Sequence, residues 1–146
     1  LRENQRLFDS KIEGKRITIG EILGGSFMSH HGNWQQDSTR GDIVPEMTVH
    51  PVLTGVKGLW GPTDVYRTFK EGTGLPEGCT ALVYGQPLIG RVQGGKDNPE
   101  KEPLPVVGSK GWKTTGGKTA RVLQSTMGSA KDLENPGLRR LIVNAA

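Results

Sequence analysis

The stretch CTALVYG, Cys79 to Gly85, decides how the fold is read. It is a continuous apolar run of strand length, bounded by glycines. A strand with apolar side chains on both faces suits a sheet covered from both sides, as in parallel α/β proteins. Downstream, PLPVVGSKGW (103–112) and ARVLQSTMG (120–128) read as two further strands. KTTGGK between them (113–118) reads as a turn, because two glycines precede the return of the apolar pattern, which makes a hairpin. Upstream, EMTVHPVLTGV (46–56) alternates well enough for a strand, with Pro51 at its end or at a sheet edge. DVYRTF (64–69) suits a shorter one. The C-terminal segment carries the clearest signal. Asn135 is a good N-cap and Pro136 suits the first helical position. Leu138, Leu141, Ile142 and Ala145 then fall on one helical face, with Arg139, Arg140 and Asn144 pointing away. LRENQRLF (1–8) resembles the end of a helix, and KRITIGEILGG (15–25) a short extended or helical lead into a glycine pair. These elements together predict a single α/β domain, 1–146, built as an open sheet with helices on its faces.

Composition supports a loop-rich domain. With 22 glycines, 9 prolines and only 33% hydrophobic residues, a helix bundle is excluded. The net charge is +4, and residues 91–121 hold seven Lys/Arg against three Asp/Glu. Nucleic-acid binding would need such a patch. Here the charges sit in one long loop and its neighbours, mix with acids and prolines, and have Trp112 as the sole aromatic among them, so that loop reads as solvated and no nucleic-acid partner is expected. The single cysteine, Cys79, cannot form an internal disulfide and reads as a small buried hydrophobe. No stretch reaches the ~18 apolar residues of a membrane span. Leu1 is not a start methionine, and LRRLIVNAA (138–146) stops while still helical, so the chain is expected to be the C-terminal portion of a longer domain. That leaves its compartment open, whether bacterial cytoplasm or a secreted or periplasmic location.

GGSFMSHHGNW, Gly24 to Trp34, is the candidate site. Histidine serves as a metal ligand or as an acid–base group near neutral pH. Adjacent histidines on an extended segment point to opposite sides, so one of His30 and His31 faces a pocket while the other fixes the loop. Zinc wants three or four ligands, and no paired His or Cys spacing supplies them here. His50, before Pro51, reads as structural, with its ring on a neighbouring backbone group. Asp64 suits either a turn cap or a hydrogen bond to sugar hydroxyls. Tyr66 and Trp34 suit either the core or stacking on a sugar ring. TGGK (115–118) is no phosphate loop, because its spacing from Gly111 is wrong and it opens no helix.

LGGSFMSHHGNW (23–34), HPVLTGV (50–56), TDVYRTF (63–69) and the segment 111–146 together resemble the ThuA-like (trehalose utilisation) family, by order and spacing. The resemblance covers about Ile22 to Ala146. It implies the class I glutamine amidotransferase-like fold, a flavodoxin-like layered α/β sheet whose first strands and nucleophile turn would lie upstream. ThuA-like proteins generally lack the amidotransferase triad, so glutaminase chemistry is not implied. The family's tie is to trehalose and related disaccharides, keto sugars included, and a divalent metal is associated with some members. By position, His30 or His31, His50, Asp64, Tyr66, Trp112 and Arg121 match family residues. Gly128-Ser129 stands where many relatives have Gly-His, and 90–101 resembles an insertion.

The resulting expectation is a domain acting on a small carbohydrate, with His30 and His31 as acid–base or metal-site residues. Asp64, Tyr66, Trp34 and Ser129 would bind the substrate, and no metal ligand set is assigned. The alternative is a sugar-binding or scaffold domain that keeps the fold without the chemistry.

Overall fold

A computed structural model describes residues 10–12 and 15–146 of the chain. The helix end expected at 1–8 lies outside the described residues. A short hairpin, β1 (Ser10–Ile12) and β2 (Lys15–Ile17), leads into the one-turn helix α1 (Ile19–Leu23). Thr18 caps this helix reciprocally with Glu21: the Glu21 N–H donates to Thr18 Oγ1 and the Thr18 N–H to Glu21 Oε2. Next come β3 (Ser29–His30) and β4 (Asp37–Ile43), then two 3-10 turns, and β5 (Leu59–Gly61) and β6 (Tyr66–Arg67). The chain closes with β7 (Cys79–Ile89), β8 (Leu104–Lys113), β9 (Thr119–Ser125) and the helix α2 (Pro136–Ala145).

The main sheet has the order β5-β4-β7-β8-β9, and all its neighbours run antiparallel. The flavodoxin-like, class I glutamine amidotransferase-like parallel sheet is therefore overturned. Strands take 34% of the chain and helices 18%, which makes the protein mostly β, with a curled antiparallel sheet. The connections explain why. Parallel neighbours need a crossover of a dozen residues or more, usually a helix. β8 and β9 are instead joined by the tight turn at 114–118, where Thr114 and Lys118 bond and Gly117 takes φ 76°. The described helices have five and ten residues, and neither lies between paired strands.

The inference that β7 is covered on both faces holds, by other means. Leu82 and Val83 are both fully buried. The β7–β8 register shifts around Val83, a bulge that bends the sheet. On one face Cys79 and Gln124 lie against Leu23, Gly24 and Thr68; on the other, Thr80 and Leu123 face the end of α2. The core joins Leu53, Val56, Leu59, Val65, Leu82, Val83, Val106, Val107 and Met127 to Leu138 and Leu141. Each of those two helix leucines contributes roughly 1.5–3 kcal/mol by burial.

Two local expectations change, and one strand appears that no expectation covered. The segment 46–56 forms no strand, because Pro45 and Pro51 each start a 3-10 turn (Pro45–Met47, Pro51–Leu53). Helix α2 is rotated from its expected face, leaving Ile142 exposed and turning Asn144 inward to donate to the carbonyls of Val52 and Thr54 at 2.9 and 2.8 Å. β4 is a strand that apolar patterning does not reveal. Its sequence, DSTRGDI, is polar, yet Asp37, Ser38 and Thr39 are buried and hydrogen-bonded. Ser38 Oγ donates to the Gly90 carbonyl and Thr39 Oγ1 to the Thr63 carbonyl. The loop at 90–103 is fastened to the sheet as well: Arg91 donates to the Pro62 carbonyl, and Asp97 pairs with Arg40. Arg40 also holds Asp42, and these two carboxylates push its already high pKa further up, the hydrogen bond to Asp42 contributing most. No described helix is long and apolar enough to cross a membrane.

Candidate functional site

The site is built where residues 26–32 run antiparallel to 65–68. Ser26 N donates to Thr68 O, Met28 N to Arg67 O, and His31 N and Gly32 N both to Val65 O. In this ladder His30 stands directly opposite Tyr66. Cross-strand partners share a face, so the imidazole and the phenol ring meet edge-on at 5.0 Å between centroids. Phe27 completes the group, 5.4 Å from each of the two rings. Trp34 follows in a tight turn, with its ring centred 6.0 Å from that of His30 and 61% exposed. The result is an aromatic shelf open to solvent.

Asp64 lies beneath it. Its side chain is 3% exposed, and Oδ2 accepts a hydrogen bond of 2.8 Å from His30 Nδ1. Gly32 makes this approach feasible, because a Cβ there would lie 2.9 Å from Asp64 Cβ and 3.2 Å from the Val65 nitrogen. An ionised carboxylate only accepts, so Nδ1 carries the proton and Nε2 keeps a free lone pair. The His30 side chain is 40% exposed, so the ring meets solvent.

His31 has the opposite tautomer. Its Nδ1 lies 3.3 Å from Arg67 Nη2, which can only donate, and its Nε2 lies 2.8 Å from the Glu102 carbonyl oxygen, which can only accept. Both ring nitrogens are occupied, so His31 ties the site to the start of β8 rather than offering an acid–base group. Arg67 also stands 3.7 Å from Glu71 and 3.8 Å from Glu102. The expectation that the two adjacent rings face different ways is met.

Ser129 lies in a separate but connected turn. Its Oγ accepts from the Asp132 N–H, and its own N–H donates back to Asp132 Oδ2. Asp132 is 1% exposed and also accepts from Gly128 N, Thr63 N and Thr63 Oγ1, the last at 2.6 Å. It thereby ties the turn after β9 to the residue preceding Asp64. Sequence reasoning placed Ser129 at the site but missed this carboxylate, although S-x-x-D at Ser129–Asp132 is a readable turn-capping signal. It missed Phe27 and Arg67 as well; Arg67 has no local signature.

Tyr66 senses both acids. Burial, and then the charges of Asp64 and Asp132, raise its phenol pKa above the ordinary value. The other sequence candidates lie elsewhere. His50 Nδ1 accepts from Val52 N at 3.3 Å and caps a 3-10 turn, the structural role expected of it. Trp112 is half-buried, with Lys110 Nζ 5.8 Å from its ring centre, and Arg121 is exposed on β9. Cys79 is half-buried, its thiol 3.7 Å from the Gly24 carbonyl oxygen. Among the described residues no three His, Cys, Asp or Glu side chains converge to hold a metal ion. Compared with protein-family models, curated proteins and solved structures, the chain matches none of them.

Proposed function

We propose that the aromatic shelf binds a carbohydrate or its keto derivative and that His30 moves a proton on it. The observation that carries this reading is the His30–Asp64 pair set among Phe27, Tyr66 and Trp34. Small-molecule sites are mostly apolar with a few placed polar groups. Sugar rings present C–H faces that suit aromatic walls and hydroxyls that suit Nε2 and the Tyr66 phenol. The segments that resemble the ThuA-like family favour the same ligand class. That resemblance contributes the ligand class alone, not the layered parallel sheet.

The chemistry follows from the tautomer. On a keto sugar, the proton on the carbon beside the carbonyl passes to His30 Nε2, and the electron pair it leaves moves onto the carbonyl oxygen. Asp64 stabilises the imidazolium that forms without taking its proton. Tyr66, held protonated past the usual tyrosine range, supplies an O–H donor beside the site. A positioned base of this kind typically contributes about 10²–10⁴-fold in rate.

The test is deuterium wash-in from D2O at the carbon beside the carbonyl of keto sugars, with imidazole chemical shifts followed during titration with sugars. Wild type is expected to exchange, and His30→Ala to lose about 10²–10⁴-fold of that rate while remaining folded. Shifts without exchange would favour the sugar-binding alternative without catalysis. No shift and no exchange with any sugar would refute the reading.

A further inference from the structure

Where one face of β7, β8 and β9 meets the end of α2, a cleft of about 380 Å³ opens. That volume lies within the ~300–1,000 Å³ usual for ligand sites. The register of the strands builds its floor. Thr80 stands opposite Ser109, Ser109 opposite Leu123, and Gly111 opposite Arg121, so these residues share a face. Gly111 contributes no side chain, which leaves room beside Arg121. Alternation sends the Lys110 side chain to the other face, where Nζ donates to the Glu21 carbonyl at 2.7 Å. The walls come from His50, Pro51 and Val52 of the 3-10 turn and from Ala145 at the end of α2.

The lining specifies a chemistry. The Arg121 guanidinium forms no hydrogen bond or ion pair with any described residue, and the hydroxyls of Thr80, Ser109 and Thr119 are likewise unpartnered among them. His50 Nδ1 accepts from Val52 N, so the neutral ring carries its proton on Nε2, a further donor. No aspartate or glutamate side chain lines the cleft. Free donors around an unpaired cation suit an anion. Its charge is bounded too. Arg121 supplies one positive charge, and the C-terminal end of α2 offsets roughly half of it. That balance suits a monoanionic carboxylate over a dianionic phosphate. The apolar walls, Pro51, Val52, Leu123 and Ala145, include no aromatic ring, so the body of the ligand is aliphatic.

We propose that this cleft binds a short aliphatic carboxylate, with its charged head on Arg121 and its alkyl chain along Val52 and Leu123. None of the shelf residues lines the cleft, so its occupancy does not depend on the carbohydrate reading. In the test, amide ¹H–¹⁵N spectra of the full chain are followed during titration with hexanoate and with hexan-1-ol. The same titrations are run on Arg121→Gln and Arg121→Lys. Arg121 is exposed, and a thermal melt checks that each variant keeps the fold.

In wild type, hexanoate is expected to shift the resonances of Thr80, Ser109 and Leu123. It should bind about 10-fold more tightly than hexan-1-ol, the equivalent of ~1.4 kcal/mol. In Arg121→Gln the ratio should fall to about one. Arg121→Lys keeps the charge but loses the planar fork, and should fall between. Equal affinity of wild type for the acid and the alcohol would overturn the assignment, with or without a folded variant. So would a preference that survives in Arg121→Gln, shifts confined to residues outside the cleft, or no shifts with hexanoate at all.

Discussion

Asp132→Ala is the substitution whose effect the structure specifies best. The wild-type carboxylate is buried and accepts four hydrogen bonds, from Thr63 N, Thr63 Oγ1, Gly128 N and Ser129 N. Alanine strands all four donors. A buried unsatisfied donor costs roughly 1–3 kcal/mol. Gly128 and Ser129 are exposed enough for water to replace part of the loss, so the low end applies. About 1 kcal/mol for each donor gives a destabilisation of ~4 kcal/mol. That is a large share of the ~5–15 kcal/mol by which domains are stable. In urea, with an m-value of ~2 kcal/mol per M, the midpoint should fall by about 2 M. Asp132→Asn should fall between wild type and alanine, because its carbonyl still accepts while its amide confronts the remaining donors. Gly61→Ala offers an independent check, since a Cβ there would collide with the Asp132 carboxylate. It should cost about 1–3 kcal/mol alone and much less in the Asp132→Ala background, a coupling that a double-mutant cycle reads directly. A midpoint change under ~0.5 M for Asp132→Ala, or additive effects of the two substitutions, would refute the claim that this carboxylate fastens the turn after β9 to the Asp64 segment.

Three further outcomes follow from the site. In alkaline solution, ¹⁵N-edited spectra should show His30 protonated on Nδ1 and His31 on Nε2; the same tautomer for both would contradict the hydrogen bonds assigned to them. Tyr66 should ionise at higher pH than free tyrosine, near 10, when followed by ultraviolet absorbance. Because the unfolded chain releases that proton first, stability should decline as pH rises from about 10 through the folded value, and Tyr66→Phe should abolish this part of the decline. Gly32→Ala should force the His30 strand away from Asp64, and loss of the Nδ1-protonated preference of His30 in a folded variant is the expected readout. An unchanged His30 tautomer would show that the close approach is not needed.

Sequence patterning located β7, β8, β9, the hairpin turn and the N-cap of α2, because each depends on local chemistry: apolar runs, paired glycines, Asn before Pro. What it could not read was direction. Burial of both Leu82 and Val83 is compatible with a parallel strand under two helical layers, and equally with an antiparallel strand between short elements and loops. Only the neighbours decide, and the decisive neighbour was β4, whose polar residues carry no strand signature. Its burial depends on partners remote in sequence: Thr63 for Thr39, Gly90 for Ser38, Asn98 for Asp37. The rotation of α2 has the same origin. Asn144 turns inward because the 3-10 turn at Pro51–Leu53 leaves carbonyls that need a donor, which no helical wheel records.

The site was legible in its residue types and illegible in its pairings. Histidine, aspartate and tyrosine mark His30, Asp64 and Tyr66 as candidates, but nothing local says that Asp64 selects His30 rather than His31. The ladder decides that. Strand alternation sends neighbouring side chains to opposite faces, so a carboxylate arriving on one face can orient only one of two adjacent rings. The other ring must then satisfy its nitrogens elsewhere, and Arg67 and the Glu102 carbonyl supply one donor and one acceptor. Opposite tautomers at adjacent positions are therefore a consequence of antiparallel geometry with a different partner on each face. The same geometry keeps the His30 ring on the side where Phe27, Tyr66 and Trp34 gather, so the imidazole that Asp64 orients and the aromatic shelf share one face.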